Sequence, residues 1–358
     1  MRYYDITITN ADTGEIIRPK SLESLRLETT VTSLINGKTT PGALDIELNI
    51  PFYNYENPLQ GSFVRIWGLA LREVSQSTDL ANCNIIVRAG MAKGLPLANP
   101  KQAGVIAQGK IYQAFGNWVG TDMTVDLQIL PQTGQSRTPP RNFSFKWPAS
   151  TPLSDAIKAT LQVAMPGYAI QMAISPDLKK SSDETGIYSD LTAFAGAIAD
   201  LTTAPQFRGI KTLAGTPYKG VKITPRQKTL VVTDGTQTEK ASSPNNPKKI
   251  LFQDFIGQPT WFSPSEINFK TVMRADLAVG DYVLMPDKIS TPYVLSQVGS
   301  TVPGSTPRNK ASFNGVFLIQ SGIHFGRFRQ PTADAWCTSF NAVYNSPNPL
   351  AAGSGAAP

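Results

Sequence analysis

FQDFIGQPTWFSPSEINFKTVMRADLAVGDYVLMP, residues 252–286, carries the clearest secondary-structure signal in the chain. From Ser265 to Val272 the side chains alternate, with Ile267, Phe269 and Thr271 on one side and Glu266, Asn268 and Lys270 on the other. A period of two describes a strand with one face on a core and one toward water. Ala275 to Asp281 reads as a turn, and Tyr282 to Met285 starts a second strand. Gly257-Gln258-Pro259 and Pro264 forbid a helix. Nothing here has a catalytic pattern; it reads as one wall of a β-barrel or sandwich.

A weak copy lies near the N-terminus. Asp45 to Ile50 alternates as Glu266 to Phe269 does, and Leu59 to Val64 answers Leu277 to Val283. Gly109-Lys110-Ile111 with Phe115-Gly116 resembles Gly322-Ile323 with Phe325-Gly326. Alternating strands follow both, Met123 to Ile129 and Ala335 to Tyr344. Matches in one order predict two related β-domains in one chain.

Composition agrees with that reading. A chain of 358 residues exceeds one comfortable core. Only 16% of residues are charged, while Gly and Pro number 28 each, which favours turns and strands over charged amphipathic helices. No apolar run approaches the ~18 residues of a membrane span. MRYYDITITN is already an alternating strand without a signal-peptide core, so synthesis in a cytoplasm is expected. Cys83 and Cys337 read as isolated core thiols, with a disulfide as the lesser reading. The net charge of +7 is diffuse, with no arginine-rich arm or nucleic-acid motif. It fits solubility, or a subunit lining a DNA channel.

Residues 1–137 read as the first β-domain, with a loop from Gly90 to Gly104 long enough to be a functional extension. Residues 138–206 read as an α/β insert. There Thr151 and Pro152 open a helix carrying Leu153, Ile157 and Leu161 on one face. Ser189 caps a second helix with Leu191, Phe194, Ile198 and Leu201 at helical spacing. Residues 207–346 return to β, and 347–358 (PNPLAAGSGAAP) read as a disordered tail.

The chemistry-bearing residues do not converge. His324 is the single histidine, which cannot by itself complete a Ser-His-Asp triad or a two-histidine metal site. Asp276 and Asp281 bracket a turn where Asp is at home, and Asp183-Glu184 sit in a polar loop. Glycines spell no phosphate loop. The expectation is no enzyme and no cofactor or metal. The five tryptophans, Trp67, Trp118, Trp147, Trp261 and Trp336, fit core or subunit contacts better than a sugar site.

FIGQPTWFSPSEINFKTVMRADLAVGDYVLMP (255–286), FSFKWPASTPLSDAIKATLQVAMPGYAIQMAISPDL (143–178) and the order β-domain, α/β insert, β-domain together resemble the baseplate hub proteins of contractile-tailed bacteriophages, Mu-like phages included. The resemblance covers most of the chain. It implies a mainly β protein with two tail-tube-like antiparallel β-barrel domains around a small α/β insert. It further implies a homotrimer whose six domains form a ring between a hexameric tail tube, or its adaptor, and a trimeric spike. Other baseplate wedge proteins would surround it, DNA would cross the lumen only as cargo, and the protein would reside in the virion tail. The resemblance carries no residue-by-residue site. The interface residues expected from it are Lys93, Leu95 and Leu97 in the 90–104 loop, and Trp261, Phe262 and Tyr282 at the second barrel. A tail-associated peptidoglycan-degrading enzyme or a glycan-binding protein is the competing expectation.

Overall fold

The computed structural model describes residues 2–20, 28–35, 37–52, 62–92, 99–131, 142–212, 218–226, 229–237, 246–263, 266–286, 313 and 315–346. The first region holds β1 (Arg2–Thr9), β2 (Val31–Thr32), β3 (Leu34–Ile35), β4 (Lys38–Thr39), β5 (Asp45–Phe52), β6 (Ser62–Trp67), a short helix α1 (Leu71–Ser75), β7 (Asn84–Met91), β8 (Gly104–Val119) and β9 (Asp122–Pro131). The middle region holds β10 (Phe143–Trp147), α2 (Leu153–Ala164), β11 (Ala169–Ala173), β12 (Glu184–Tyr188), α3 (Leu191–Thr202), β13 (Lys222–Arg226) and β14 (Thr229–Thr233). The last region holds β15 (Lys248–Lys249), β16 (Thr260–Ser263), β17 (Glu266–Val272), β18 (Tyr282–Leu284), β19 (Val316–Arg327) and β20 (Trp336–Ser346).

The chain is mainly β, as expected, with the α/β insert between two β regions. Among the described residues the strands close no barrel. Among the described residues one open 13-stranded sheet runs β16-β17-β20-β19-β5-β6-β9-β8-β7-β1-β2, with β18 pairing both β19 and β15. The opening stretch behaves as its alternation predicts: Ile267, Phe269 and Thr271 are buried on β17, and Lys270 is exposed. Gly257 supplies the left-handed turn, at φ 79°, between the bridge at Phe255 and β16.

Strand order exposes an internal repeat. The first region is ordered β1-β7-β8-β9-β6-β5 in space, and the last β15-β18-β19-β20-β17-β16. Numbered along the chain with the two-residue strands β2–β4 set aside, six strands of each unit follow the same spatial order, although β1 pairs with β7 antiparallel and β15 with β18 in parallel. A bulge marks both at the same place, between Ile111 and Gln113 on β8 and between Ile319 and Ser321 on β19. Bulges are specific features rather than accidents of pairing. Aligning them sets β6 on β17, and the burial alternation of Ser62–Trp67 then coincides with that of Ile267–Val272. The repeat read from sequence is therefore corrected by one strand. Asp45–Phe52 corresponds to β16, not to Glu266–Phe269, and Ser62–Trp67 corresponds to β17, not to the strand at Tyr282. The sequence match slipped because any two alternating half-buried strands resemble each other.

The insert also differs from its expected extent. β11 pairs in parallel with β14, and β14 pairs with β13. Val221, Ile223, Leu230 and Val232 pack in one core with Leu153, Ile157, Leu161, Phe194 and Ile198. Residues 222–233 thus complete the insert instead of opening the second β unit. Helix α2 buries the predicted face, but its N-cap is Pro152, while the Thr151 hydroxyl donates to the Pro148 carbonyl. Helix α3 is capped by Asp190, whose carboxylate accepts from the Ala193 N–H at 2.8 Å, not by Ser189.

The two β units are knitted together. Met273 and Trp336, from the last region, sit in the core of the first, and Phe52 packs against the core of the last. The Trp336 indole donates to the Gly90 carbonyl at 2.9 Å. Buried Arg274 reaches Asp254 at 3.2 Å and Asp276 at 2.6 Å, and Gln102 donates to Asp254 at 3.1 Å across the boundary. Removing one member of such a buried charge cluster costs on the order of 3–5 kcal/mol, because the other charge stays desolvated.

Candidate assembly surface

The open face of the sheet is polar and ordered. Along it Arg327 (β19), Glu47 (β5), Arg65 (β6), Asp126 (β9) and Asn117 (β8) form a ladder across five strands. Arg327 meets Glu47 at 3.0 Å, Arg65 lies 3.8 Å from Glu47, and Arg65 grips Asp126 through two hydrogen bonds of 2.7 and 2.6 Å. Asn117 donates to Asp126 at 3.1 Å. The Arg65 guanidinium also lies over the rings of Phe63 and Trp67, its neighbours on the same face of β6. On the second unit, Asn268 donates to Asn341 and Ser339, and Asn341 donates to Ser321.

The joint between units lies on one edge of β19. The N-terminal end of β19 pairs with β18, through Val316–Leu318. Beyond the bulge, the same edge passes to β5, in the register Gly322↔Phe52 to Arg327↔Glu47. Phe52 packs on His324 with ring centroids 4.6 Å apart and planes tilted by 36°, and a Cβ on Gly322 would meet the Phe52 ring at 2.4 Å. Glycine is what lets this side chain lie so close. Arg329 bonds the carbonyls of Pro41 and Ala43, and Arg2 bonds those of Arg327, Phe328, Gln330 and Thr332.

The equivalent edge on β8 differs. β7 pairs with Gly104–Lys110, as β18 does with the start of β19. From Ala114 to Val119 that edge carries no strand among the described residues, while β9 pairs along the other side. Phe115 is 45%, Trp118 64% and Val119 75% exposed. β16, the counterpart of β5, is the last strand at the far end of the sheet among the described residues. Sequence reasoning listed Trp118 only among the tryptophans and missed Phe115 and Val119; the aromatic spacing on a long alternating strand was the available signal.

The expected site residues fall in different places. Lys93, Leu95 and Leu97 lie outside the described residues. Trp261 is half-buried, its ring 5.8 Å from those of Phe313 and Phe317 in the second unit's core. Phe262 is on β16, its side chain outside the described set. Tyr282 is half-buried on β18 opposite Leu318.

The groups considered for chemistry are engaged elsewhere. His324 is buried, shares a 2.9 Å hydrogen bond with Thr338, and has its pKa pushed down to about 3 by desolvation. Asp276 holds Arg274, Asp281 holds Lys248 at 2.8 Å, Asp183 accepts from the Ala149 N–H, and Glu184 pairs with Lys180. Cys83 and Cys337 are both free and buried, and burial raises both thiol pKa values. Among the described residues no cluster of His, Cys, Asp and Glu is placed to hold a metal ion, and no helix is long and apolar enough to cross a membrane. The insert carries an open cleft of about 850 Å³ bordered by Asp177, Lys179, Lys180, Lys211 and Gln237.

No protein-family model matches the sequence, and no curated protein matches it. Solved structures do. The 43 kDa tail protein of prophage MuSo2 from Shewanella oneidensis is similar over 96% of this chain and 98% of its own, at 8% identity and a TM-score of 0.51. A tail protein of Neisseria meningitidis MC58 is similar over 96% and 97%, at 9% identity and 0.49. The Escherichia coli c3393 protein, a component of the type VI secretion system, is similar over 85% and 73%, at 8% identity and 0.45. At such identities the likeness concerns the fold, and the first of the three carries it. The chain has the fold of a Mu-like prophage tail protein across nearly its whole described length, in keeping with the resemblance to baseplate hubs read from its sequence.

Proposed function

We propose that this protein is a structural component of a contractile phage tail: the baseplate hub, in which three copies form a ring of six β units. The ring joins a six-fold tail tube, or its adaptor, to a three-fold spike, and DNA passes through its lumen. The observation that carries this reading is the internal repeat. Two units with one strand order lie side by side in one continuous sheet, so each chain already contains a sixth-to-sixth contact of such a ring. Closed cyclic symmetry would then satisfy strand edges that a single chain leaves without a partner strand among the described residues. Each unit is read as a tube-like domain and the insert as facing outward, toward other baseplate proteins. The 90–104 loop, with Lys93, Leu95 and Leu97, is read as reaching a neighbouring subunit or the ring above.

The test is the mass of the purified protein by light scattering, alone and with the spike candidate encoded beside it. A trimer in either sample, seen as an annulus with six lobes by electron microscopy, is the expected result. A monomer in both, with no binding to the spike, would remove the reading.

A further inference from the structure

We infer that the β8 edge from Ala114 to Val119 receives β16 of a second copy of this chain, in the way β19 receives β5 within the chain. The inference rests on the ring reading and names the strand pair that closes it. Three observations lead to it. The shared bulge sets β8 and β19 in one register, placing Ala114 on Gly322, Gly116 on His324 and Asn117 on Phe325. The pairing of β5 with β6 and of β16 with β17, compared in that register, places Thr260 on Asn49 and Trp261 on Ile50. Finally, the edge on β8 that corresponds to the β5 site carries no strand among the described residues, and exposes Phe115, Trp118 and Val119.

The internal joint then dictates the register of the external one. Phe325 faces Asn49 and His324 faces Ile50. Asn117 of one copy therefore faces Thr260 of the next, antiparallel, and Gly116 faces Trp261. The contact is head to tail: each chain offers β8 to one neighbour and β16 to the other. Such a contact continues the sheet from chain to chain and closes into a ring when the rotation allows. No strand covers this edge among the described residues, and α1 meets β8 at Gly116, whose Cβ position lies 2.1 Å from the Val74 carbonyl oxygen.

The register also chooses the test. The Phe328 N–H donates to the Ile46 carbonyl, so three steps of alternation along the ladder Phe325 and Asn49 form a non-hydrogen-bonded pair. Facing Cβ atoms are closest at such pairs and within reach of a disulfide. Asn117 and Thr260 are both exposed. Asn117→Cys and Thr260→Cys are made as separate variants and oxidised alone and mixed, with the spike candidate present, beside the unmodified protein whose two thiols are buried. The mixture is expected to give at least a tenfold excess of cross-linked dimer over either variant alone. The double variant is expected to give a ladder ending at the trimer.

A trimer by light scattering without the mixed cross-link would overturn the strand pair and leave the hub reading standing. Efficient cross-linking of Asn117→Cys to itself would overturn it too, because it would mean a two-fold contact. Monomers throughout would remove both.

Discussion

The outer edges of β19 and β8 occupy one position in two copies of the same unit, yet β5 fills the first while the second carries no strand among the described residues. Their side chains differ accordingly. Along β19 stand Gly322, His324 and Arg327, each engaged by β5: glycine admits the Phe52 ring, the imidazole packs against it at a tilt, and the guanidinium pairs with Glu47. Along β8 the counterparts are Ala114, Gly116 and Val119, and charge is replaced by apolar surface. The filled edge is specialised for a strand that is always present. The β8 edge is apolar and free of charge on its exposed residues, which suits a partner that arrives by association, where desolvating an ion pair would cost affinity.

The comparison breaks first at Gly322. A Cβ there would lie 2.4 Å from the Phe52 ring and 2.7 Å from the Ser339 carbonyl oxygen. The ring can rotate, but the backbone oxygen belongs to the β19–β20 ladder and cannot yield without distorting it. Gly322→Ala is expected to lower stability by about 1–3 kcal/mol, as overpacking does. Ala114→Gly, the reverse exchange at the equivalent position, is expected to cost only about 0.5–1 kcal/mol of strand propensity. Urea unfolding of both variants checks this. Equal effects would mean that the two edges are not equivalent positions under different load.

The next test is acid. Above pH 6.5, His324 is neutral in both folded and unfolded chains, so it contributes no pH dependence. Burial holds its folded pKa at about 3, below the ordinary 6.5. As the pH falls through that window the unfolded chain gains a proton that the fold refuses, and stability drops by up to about 1.4 kcal/mol per pH unit. His324→Asn is expected to remove that slope. Because β8 has Gly116 at this position, the acid-sensitive step belongs to the filled edge alone. Denaturant midpoints between pH 7.5 and 5 for the two proteins measure it; parallel curves would show that the imidazole is not what titrates.

Much of this architecture was legible in the sequence, and the failures share one cause. Alternation identified β17 and its buried residues Ile267, Phe269 and Thr271, and helical spacing found the faces of α2 and α3, because both signals are local. Partners are not local. Nothing in Tyr168–Ile174 or Thr229–Thr233 says that they pair in parallel more than fifty residues apart, so the insert was cut short at 206. The repeat was detected but slipped by a strand, since β5, β6 and β17 share one pattern and only the bulge and the strand order fix the alignment. For the candidate surface, sequence supplied Trp261 and Tyr282, which turned out to brace the second unit. The exposed end of β8 was passed over because a period of two reveals that a residue lies on a face, not whether anything covers it. The Asp254–Arg274–Gln102 cluster was equally hidden, its members being 152 and 20 residues apart along the chain.

The smallest expected effect bears on what sets the register of the filled edge. The Arg327–Glu47 contact is the most visible ion pair of the joint, at 3.0 Å, but the Arg327 side chain is 53% exposed. Exposed pairs are screened and must order two long side chains, so a double-mutant cycle with Arg327→Ala and Glu47→Ala is expected to return under about 1 kcal/mol, falling further in 1 M salt. Glu47 has a second cation, Arg65 at 3.8 Å, to turn to when Arg327 is removed, which reduces the coupling again. A value well above 1 kcal/mol would make the charge ladder the device that aligns the two units. The β8 edge would then lack it, since Val119 stands where Arg327 does, and its partner strand would have to be aligned by other means. A small value leaves alignment to the backbone ladder, the bulge and the packing of Phe52 over Gly322. The backbone ladder and the bulge are shared by both edges, so in that case the register inferred for the β8 edge needs no ion pair to set it.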